Sequence, residues 1–249
     1  MLVSVRSADE VAAAIAGGAD IIDAKEPERG SLGAVDAATL RAIADSIPDG
    51  MALSVALGDL SDPGEVTRAV VDIDGITRRP RELYAKVGLA GVGEPRPARR
   101  ALEAVTEAVR ASRLQPDIVV VGYADYERAG ALLPDAVTAV ASDVASRGVL
   151  LDTWKKDGGD LFDWLSPVEL RTWLERSRHQ GLLTALAGSL AGPSVRDAAR
   201  LGPDILGVRG AACDGGRWGV VTEGRVRELA AAISGAGTRP GSCVKATSG

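Results

Sequence analysis

Residues 20–25, Asp20-Ile21-Ile22-Asp23-Ala24-Lys25, read DIIDAK and stand between two stretches of a different rhythm. Upstream, DEVAAAIAGG (9–18) spaces its apolar residues by three and four, and downstream DAATLRAIADSI (36–47) does the same. Such spacing predicts amphipathic helices, whereas a short apolar run between turn signals predicts a buried strand. The helix–strand–helix alternation recurs along the chain. Strands are expected at 2–5, 20–25, 52–57, 83–88, 118–122, 149–153, 183–187 and 205–208. Helical patterns include PARRALEAVTEAVRAS (97–112), DAVTAVASDVASRG (135–148), SPVELRTWLERSRHQG (166–181), PSVRDAARLG (193–202) and a last helix at 222–233. Alternating units of this kind imply a parallel sheet with right-handed crossovers. Eight of them in 249 residues fit one closed (β/α)₈ TIM barrel. A doubly wound open sheet is the alternative, but no G-x-G-x-x-G follows the first strand. The barrel is expected over residues 1–235, with a disordered, Gly/Thr/Pro/Ser-containing tail at 236–249.

Composition narrows the function. Hydrophobic content of 46% and charged content of 25% are those of an ordinary globular chain. Aromatics make up only 3%, so the core is aliphatic. A net charge of −5 speaks against nucleic acid as the main partner. No apolar run reaches the length of about 18 residues that spans a bilayer, and the N-terminus MLVSVRSADE starts a strand and lacks a signal-peptide core. Cys213 and Cys243 form neither a disulfide framework nor a metal cluster, so a reducing, cytoplasmic setting is expected, with no metal. The single histidine, His179, lies in a helical pattern. A Ser-His-Asp triad or a histidine metal site is therefore not expected.

The basic residues are more telling. Of 29, only five are lysine: Lys25, Lys86, Lys155, Lys156 and Lys245. Where charge alone is needed this chain uses arginine, which stays protonated and cannot do amine chemistry. Lysine can form a Schiff base. In a barrel the active site lies at the carboxyl ends of the strands, and four of the five lysines fall there: Lys25 after the second strand, Lys86 in LYAKVGL on the fourth, Lys155 and Lys156 after the sixth in VLLDTWKKDGG. Side chains alternate along a strand, so Asp23 and Lys25 share a face, and Asp152 shares one with Leu150. A mouth holding Lys25, Lys86, one lysine of the 155–156 pair, Asp23 and Asp152 follows. Ion pairs filling a polar barrel end are the plainer reading. The chemical reading is that neighbouring cations and burial lower an amine from its usual value of about 10.4 toward neutrality. A neutral amine attacks an aldehyde or ketone, and the resulting imine acts as an electron sink.

Two later stretches suggest a phosphate. ALAGSL (185–190) closes the seventh strand, and GVRGAAC (207–213), followed by Asp214-Gly215-Gly216-Arg217, closes the eighth. Barrels often bind phosphate at these two loops, where small residues admit backbone N–H groups to the anion. Gly188, Ser189, Gly210 and Ala211 are the candidates, with Arg209 as a bidentate partner. Ser31, in Gly30-Ser31-Leu32-Gly33 after strand two, either covers the site or meets a second anion. Tyr123 and Asp125, in GYAD (122–125), bring a phenol and a carboxylate to the same rim, although Asp125 also suits a helix N-cap.

The ordered set AIAGGADIIDAKEPERGSLGA, YAKVGL, VGYAD, LLDTWKKDG with LFDWLS, ALAGSL and DILGVRGAAC resembles one known family over nearly the whole chain. It is that of the (5-formylfuran-3-yl)methyl phosphate synthases, also called 4-(hydroxymethyl)-2-furancarboxaldehyde-phosphate synthases. The resemblance implies a (β/α)₈ barrel acting as a lysine-dependent, aldolase-like carbon–oxygen lyase with no metal or organic cofactor. Its substrate would be glyceraldehyde 3-phosphate, two molecules of which condense with loss of phosphate and water, as in a methanofuran-type pathway. The family's Schiff-base lysine falls on Lys25. Its other site groups fall on Asp23, Lys86, Asp152 and, in the D-T-x-x-K-D-G motif, Lys156. The rivals are another phosphosugar barrel enzyme (a class I aldolase or an isomerase) and a non-catalytic phosphate-ligand sensor. A homo-oligomer is expected, since such barrels commonly associate.

Overall fold

The computed structural model describes residues 1–237. Cys243, Lys245 and all but the first two residues of the expected tail lie outside the described residues. Eight strands form the barrel: β1 (Leu2–Val5), β2 (Ile21–Ala24), β3 (Ala52–Asp59), β4 (Leu83–Gly88), β5 (Asp117–Tyr123), β6 (Gly148–Asp152), β7 (Leu183–Leu186) and β8 (Ile205–Val208). They pair in chain order and close, β8 returning to β1. Each of these pairings is parallel.

Helices follow the strands: α1 (Val11–Ala16), α2 (Ala37–Ser46), α3 (Pro63–Ile73), α4 (Pro95–Ala111), the single turn α5 (Tyr126–Ala129), α6 (Pro134–Asp143), α7 (Pro167–His179), α8 (Pro193–Arg200) and α9 (Glu223–Ser234). Five of them open on proline, whose fixed φ and missing N–H suit the first helical position. Asp36 caps α2 through Thr39 N–H, and Ser166 with Glu169 forms a capping box on α7. His179 is exposed at the end of α7. Between β8 and α9 the chain adds a small antiparallel hairpin, β9 (Cys213–Asp214) with β10 (Val220–Val221). Its strands have two residues each, too short to leave a periodic signal.

Strand parity divides the apolar residues into two shells. Val3, Val5, Ile22, Ala24, Leu53, Val55, Val120 and Leu151 face outward and pack with the helices. Leu2, Ile21, Ala52, Ala56, Tyr84, Val119, Val121, Leu150 and Ala185 gather inside the barrel. The same parity sends Asp23, Lys86 and Asp152 inward, and the register sets Asp23 beside Ser4 and Ser54, and Asp152 beside Tyr123.

The seam between β1 and β8 is thin, with Leu2 opposite Gly207 and Val3 opposite Val208. A buried ion pair reinforces it. The Arg209 guanidinium grips the Glu10 carboxylate with both arms, at 2.5 and 3.1 Å, and also donates to the Ser4 carbonyl (3.1 Å) and the Gly219 carbonyl (2.9 Å). Glu10 accepts in addition from Arg6 N–H and Val221 N–H. Arg209 is therefore not the free phosphate partner expected from sequence. A buried carboxylate needs a counter-charge, and Glu10, distant in the chain, supplies that demand.

Candidate active site

At the carboxyl end of the barrel lies a cavity of about 370 Å³. Its upper wall carries Lys25, Lys86, Asp152 and Lys156. Below them it runs past Ser54, Ala185 and Gly207 to Leu2, Tyr84, Val119, Leu183 and Ile205. Barrels usually fill this volume with layers of bulky side chains. Here small residues on β3, β7 and β8 leave a chamber beneath the amines. Ser54 Oγ is buried there without a hydrogen-bond partner among the described residues.

Each inward carboxylate is matched by one lysine. Lys86 Nζ lies 2.8 Å from Asp23 Oδ1, while Ser4 Oγ donates to Asp23 Oδ2 at 2.7 Å. Lys156 Nζ lies 2.5 Å from Asp152 Oδ1 and 2.9 Å from Thr153 Oγ1. Burial pushes both carboxyls up, but Lys86 and Lys25 around Asp23, and Lys156 and Lys25 around Asp152, outweigh it and hold both below the usual value. Both are therefore ionised at neutral pH. Asp23 is fully buried behind the lysines and does not line the cavity, whereas Asp152 does.

Lys25 is the amine left over. It follows β2 directly, its N–H continuing the ladder to the Val5 carbonyl at 3.0 Å. Among the described residues no carboxylate lies within ion-pair distance of its Nζ. Burial lowers its pKa from 10.5 to about 7. Asp152 and Asp23 resist that fall, and Lys86 and Lys156 add to it. Lys156 is also lowered by burial, with Asp152 opposing.

The loop after β6 decides between the two adjacent lysines. Asp125 stands at the N-cap position of α5 but makes no side-chain cap bond. Its carboxylate instead accepts from Trp154 N–H (2.6 Å) and Lys155 N–H (3.0 Å). That grip turns Lys156 into the cavity and leaves Lys155 exposed, its Nζ 4.2 Å above the Trp154 ring. Substituting Asp125 with alanine is expected to lower kcat on the order of 100-fold by displacing Lys156. Steady-state kinetics on a variant that still melts cooperatively checks this.

The expected phosphate loops do meet at the cavity, which Gly188, Ser189, Gly210 and Ala211 all line. Gly188 (φ 109°) and Ser189 (φ 53°) are both in the left-handed region, which costs energy for serine and marks a tightly specified turn. Ser31 does not line the cavity. Its buried Oγ donates to the Tyr123 hydroxyl at 3.2 Å, and that hydroxyl in turn donates to Asp59. Serine 31 thus pins the loop after β2 over the site rather than facing an anion. Gly88 leaves room for this chain, since a Cβ there would come within 2.0 Å of Asp59 Oδ1 and 2.5 Å of Tyr123 Oη. Burial raises the Asp59 carboxyl. Asp59, Glu10 and Ser54 join the site without any local signal in the sequence. Arg217 was visible only as the end of a DGGR turn.

Among the described residues no group of three or more His, Cys, Asp or Glu side chains is placed to hold a metal ion, and no helix is long and apolar enough to cross a membrane. Fold and site together define a (β/α)₈ barrel with a buried lysine–aspartate centre at the carboxyl ends of its strands. Residues 1–230 match the family model for 4-HFC-P synthase, and the chain belongs to that family. It is 40% identical to the (5-formylfuran-3-yl)methyl phosphate synthase of Methanopyrus kandleri, over 94% of this chain and 98% of that protein. Against the synthase of the same name from Methanothermobacter thermautotrophicus the identity is 38%, over 92% and 96%. The barrel is also similar to 3-hexulose-6-phosphate synthase from Salmonella typhimurium (TM-score 0.62, 16% identity, 95% and 99% covered). A second barrel of like shape is phosphoribosyl anthranilate isomerase from Thermus thermophilus (TM-score 0.59, 16% identity, 94% and 98% covered). At such low identity these two likenesses speak for the fold alone. The family membership makes the protein an enzyme.

Proposed function

We propose that the enzyme condenses two molecules of glyceraldehyde 3-phosphate through a Schiff base on Lys25. The product is (5-formylfuran-3-yl)methyl phosphate, formed with loss of one phosphate and two waters. The observation that carries this reading is the unequal treatment of three buried amines. Lys86 and Lys156 each hold a carboxylate, while Lys25 has none and titrates near 7. The relatives' shared name supports the product.

In this reading the Lys25 amine adds to the carbonyl of one triose phosphate, and water leaves as the imine forms. The protonated imine draws electrons from the adjacent carbon. Asp152, ionised and facing the cavity, takes the proton released there, and Lys156 stabilises its charge. The enamine expels the phosphate of the tethered triose, and the enol carbon so formed attacks the middle carbon of the second triose in its ketose form. Loss of two waters then closes and aromatises the ring, and hydrolysis of the imine frees the lysine as the formyl group appears. Asp23, walled off from the cavity, is a positioning residue that orients Lys86. The phosphate sits against the loops after β7 and β8.

Borohydride reduction in the presence of glyceraldehyde 3-phosphate, followed by mass analysis, tests the central step. A stable adduct on Lys25 is expected, and its absence from wild-type enzyme would sink the proposal. An ultraviolet chromophore appearing with free phosphate separates this reaction from isomerisation and from ligand sensing.

The lowered amine sets the pH dependence. A lysine of ordinary pKa is neutral in only about one molecule in 3,000 at pH 7, whereas one with a pKa of about 7 is half neutral there. The initial trapping rate is therefore expected to climb with pH through 7 and flatten above 8. A profile still rising at pH 9–10 would show an unperturbed amine.

A further inference from the structure

Five cationic side chains of the described residues line the cavity: Lys25, Lys86, Lys156, Arg209 and Arg217. Lys86 is held by Asp23, Lys156 by Asp152 and Arg209 by Glu10. Lys25 is the amine that loses its charge near neutrality. Arg217 differs from all four. Among the described residues no carboxylate lies within 4 Å of its guanidinium, which is half-buried and remains charged.

The guanidinium is satisfied through one nitrogen only. Nη2 donates to the Gly30 carbonyl at 2.7 Å and to the Pro27 carbonyl at 3.3 Å, in the loop that follows Lys25. Nε and Nη1 have no acceptor among the described residues. The backbone of Arg217 stands directly over Gly210, where a Cβ would come 3.4 Å from Arg217 N and 3.6 Å from its Cα. The vacant donors therefore belong to the same corner of the cavity as the loops after β7 and β8. A partly desolvated guanidinium with vacant donors on Nε and Nη1 suits a phosphate dianion, to whose oxygen either gives a single charge-assisted bond.

We propose that Arg217 is the specificity-determining residue for the substrate's phosphate: a vacant N–H of its guanidinium takes a phosphate oxygen while Nη2 keeps hold of the loop beside Lys25. The inference rests on the reading that the amine site takes a triose phosphate. It assigns to Arg217 the task that Arg209, locked to Glu10, cannot perform. It also gives the enzyme a means of rejecting unphosphorylated aldehydes. Without the dianion the charge of Arg217 stays unmatched, and Lys25 meets the carbonyl unaided.

The test compares wild type with Arg217→Ala and Arg217→Lys. Two readouts are the KM for glyceraldehyde 3-phosphate and the yield of borohydride-trapped Lys25 adduct with glyceraldehyde 3-phosphate and with unphosphorylated glyceraldehyde. Competition by inorganic phosphate against trapping is the third. In Arg217→Ala the KM for the triose phosphate is expected to rise on the order of 100-fold, with loss of phosphate competition. Trapping of glyceraldehyde should stay within about twofold, and Arg217→Lys should recover part of the phosphate effect. A parallel fall for both aldehydes would reduce Arg217 to a strap for the loop and overturn the proposal, as would no change for either. If wild-type enzyme traps glyceraldehyde but shows no preference for its phosphate, the triose-phosphate reading itself fails, and this inference with it.

Discussion

Replacing Lys25 with alanine is expected to abolish the borohydride adduct and lower turnover by about 10⁴-fold or more, the scale of losing a covalent nucleophile. Lys25→Arg should be equally inactive, because a guanidinium does not deprotonate to a nucleophile. The loss should not come from unfolding. Lys25 is buried with its pKa depressed to about 7, against 10.5 unperturbed, so the folded state disfavours the charged amine. The sign follows from linkage. Below pH 7 the amine is protonated in both states, and the cost to folding is at its full value. Between 7 and 10.5 the cost shrinks as pH rises, and above 10.5 it vanishes. Lys25→Met, which keeps the bulk and removes the charge, is therefore expected to melt above wild type at pH 6 by an amount that fades toward pH 10. A dead enzyme that is at least as stable identifies a chemical group. A dead enzyme that has lost its fold would point to a structural one.

The second large effect is on stability. Glu10→Ala is expected to cost about 3–5 kcal/mol, the usual result of stranding one member of a buried ion pair. At roughly 2–4 °C per kcal/mol for a chain of this size, the midpoint of thermal unfolding should fall by roughly 6–20 °C. Three neighbours suffer at once: the Arg209 guanidinium, Arg6 N–H and Val221 N–H all lose their acceptor. Arg209→Ala should destabilise similarly. The double replacement Glu10→Leu with Arg209→Met should recover much of the loss, since no unpaired charge remains. Loss in the single variants of less than about 1 kcal/mol would mean that the β1–β8 seam does not depend on this pair.

The architecture was legible because parallel strands covered on both faces read as short apolar runs, and the helices between them carry a clear 3.6-residue rhythm. The amine site was legible for a different reason. In a chain that so prefers arginine, Lys25, Lys86 and Lys156 stand out, and strand parity brings Asp23 and Asp152 to the same face. What stayed hidden depended on partners distant in sequence. Nothing near Arg209 announces that Glu10 will claim it across 199 positions. The choice between Lys155 and Lys156 rests on Asp125, a carboxylate from the preceding strand–helix unit. Ser31 looked like an anion ligand because its loop is rich in glycine. Its true neighbour, Tyr123, lies 92 positions away.

The two carboxylate–lysine pairs have a relation of their own. Asp23 belongs to β2 and Asp152 to β6, four strands apart in a closed ring of eight, and hence on opposite walls. Asp23 meets a lysine from another strand, Lys86 on β4, and lies behind it, whereas Asp152 meets Lys156 of its own loop and lines the cavity, so the two walls differ. If the enzyme joins two copies of one molecule, as proposed, such a chamber receives them on unlike walls. Lys25 sharpens the difference, because it adds an uncommitted amine to the β2 wall, while the amine beside Asp152 is held by its carboxylate. On that proposal identical substrates become inequivalent, one tethered as donor and the other left free as acceptor.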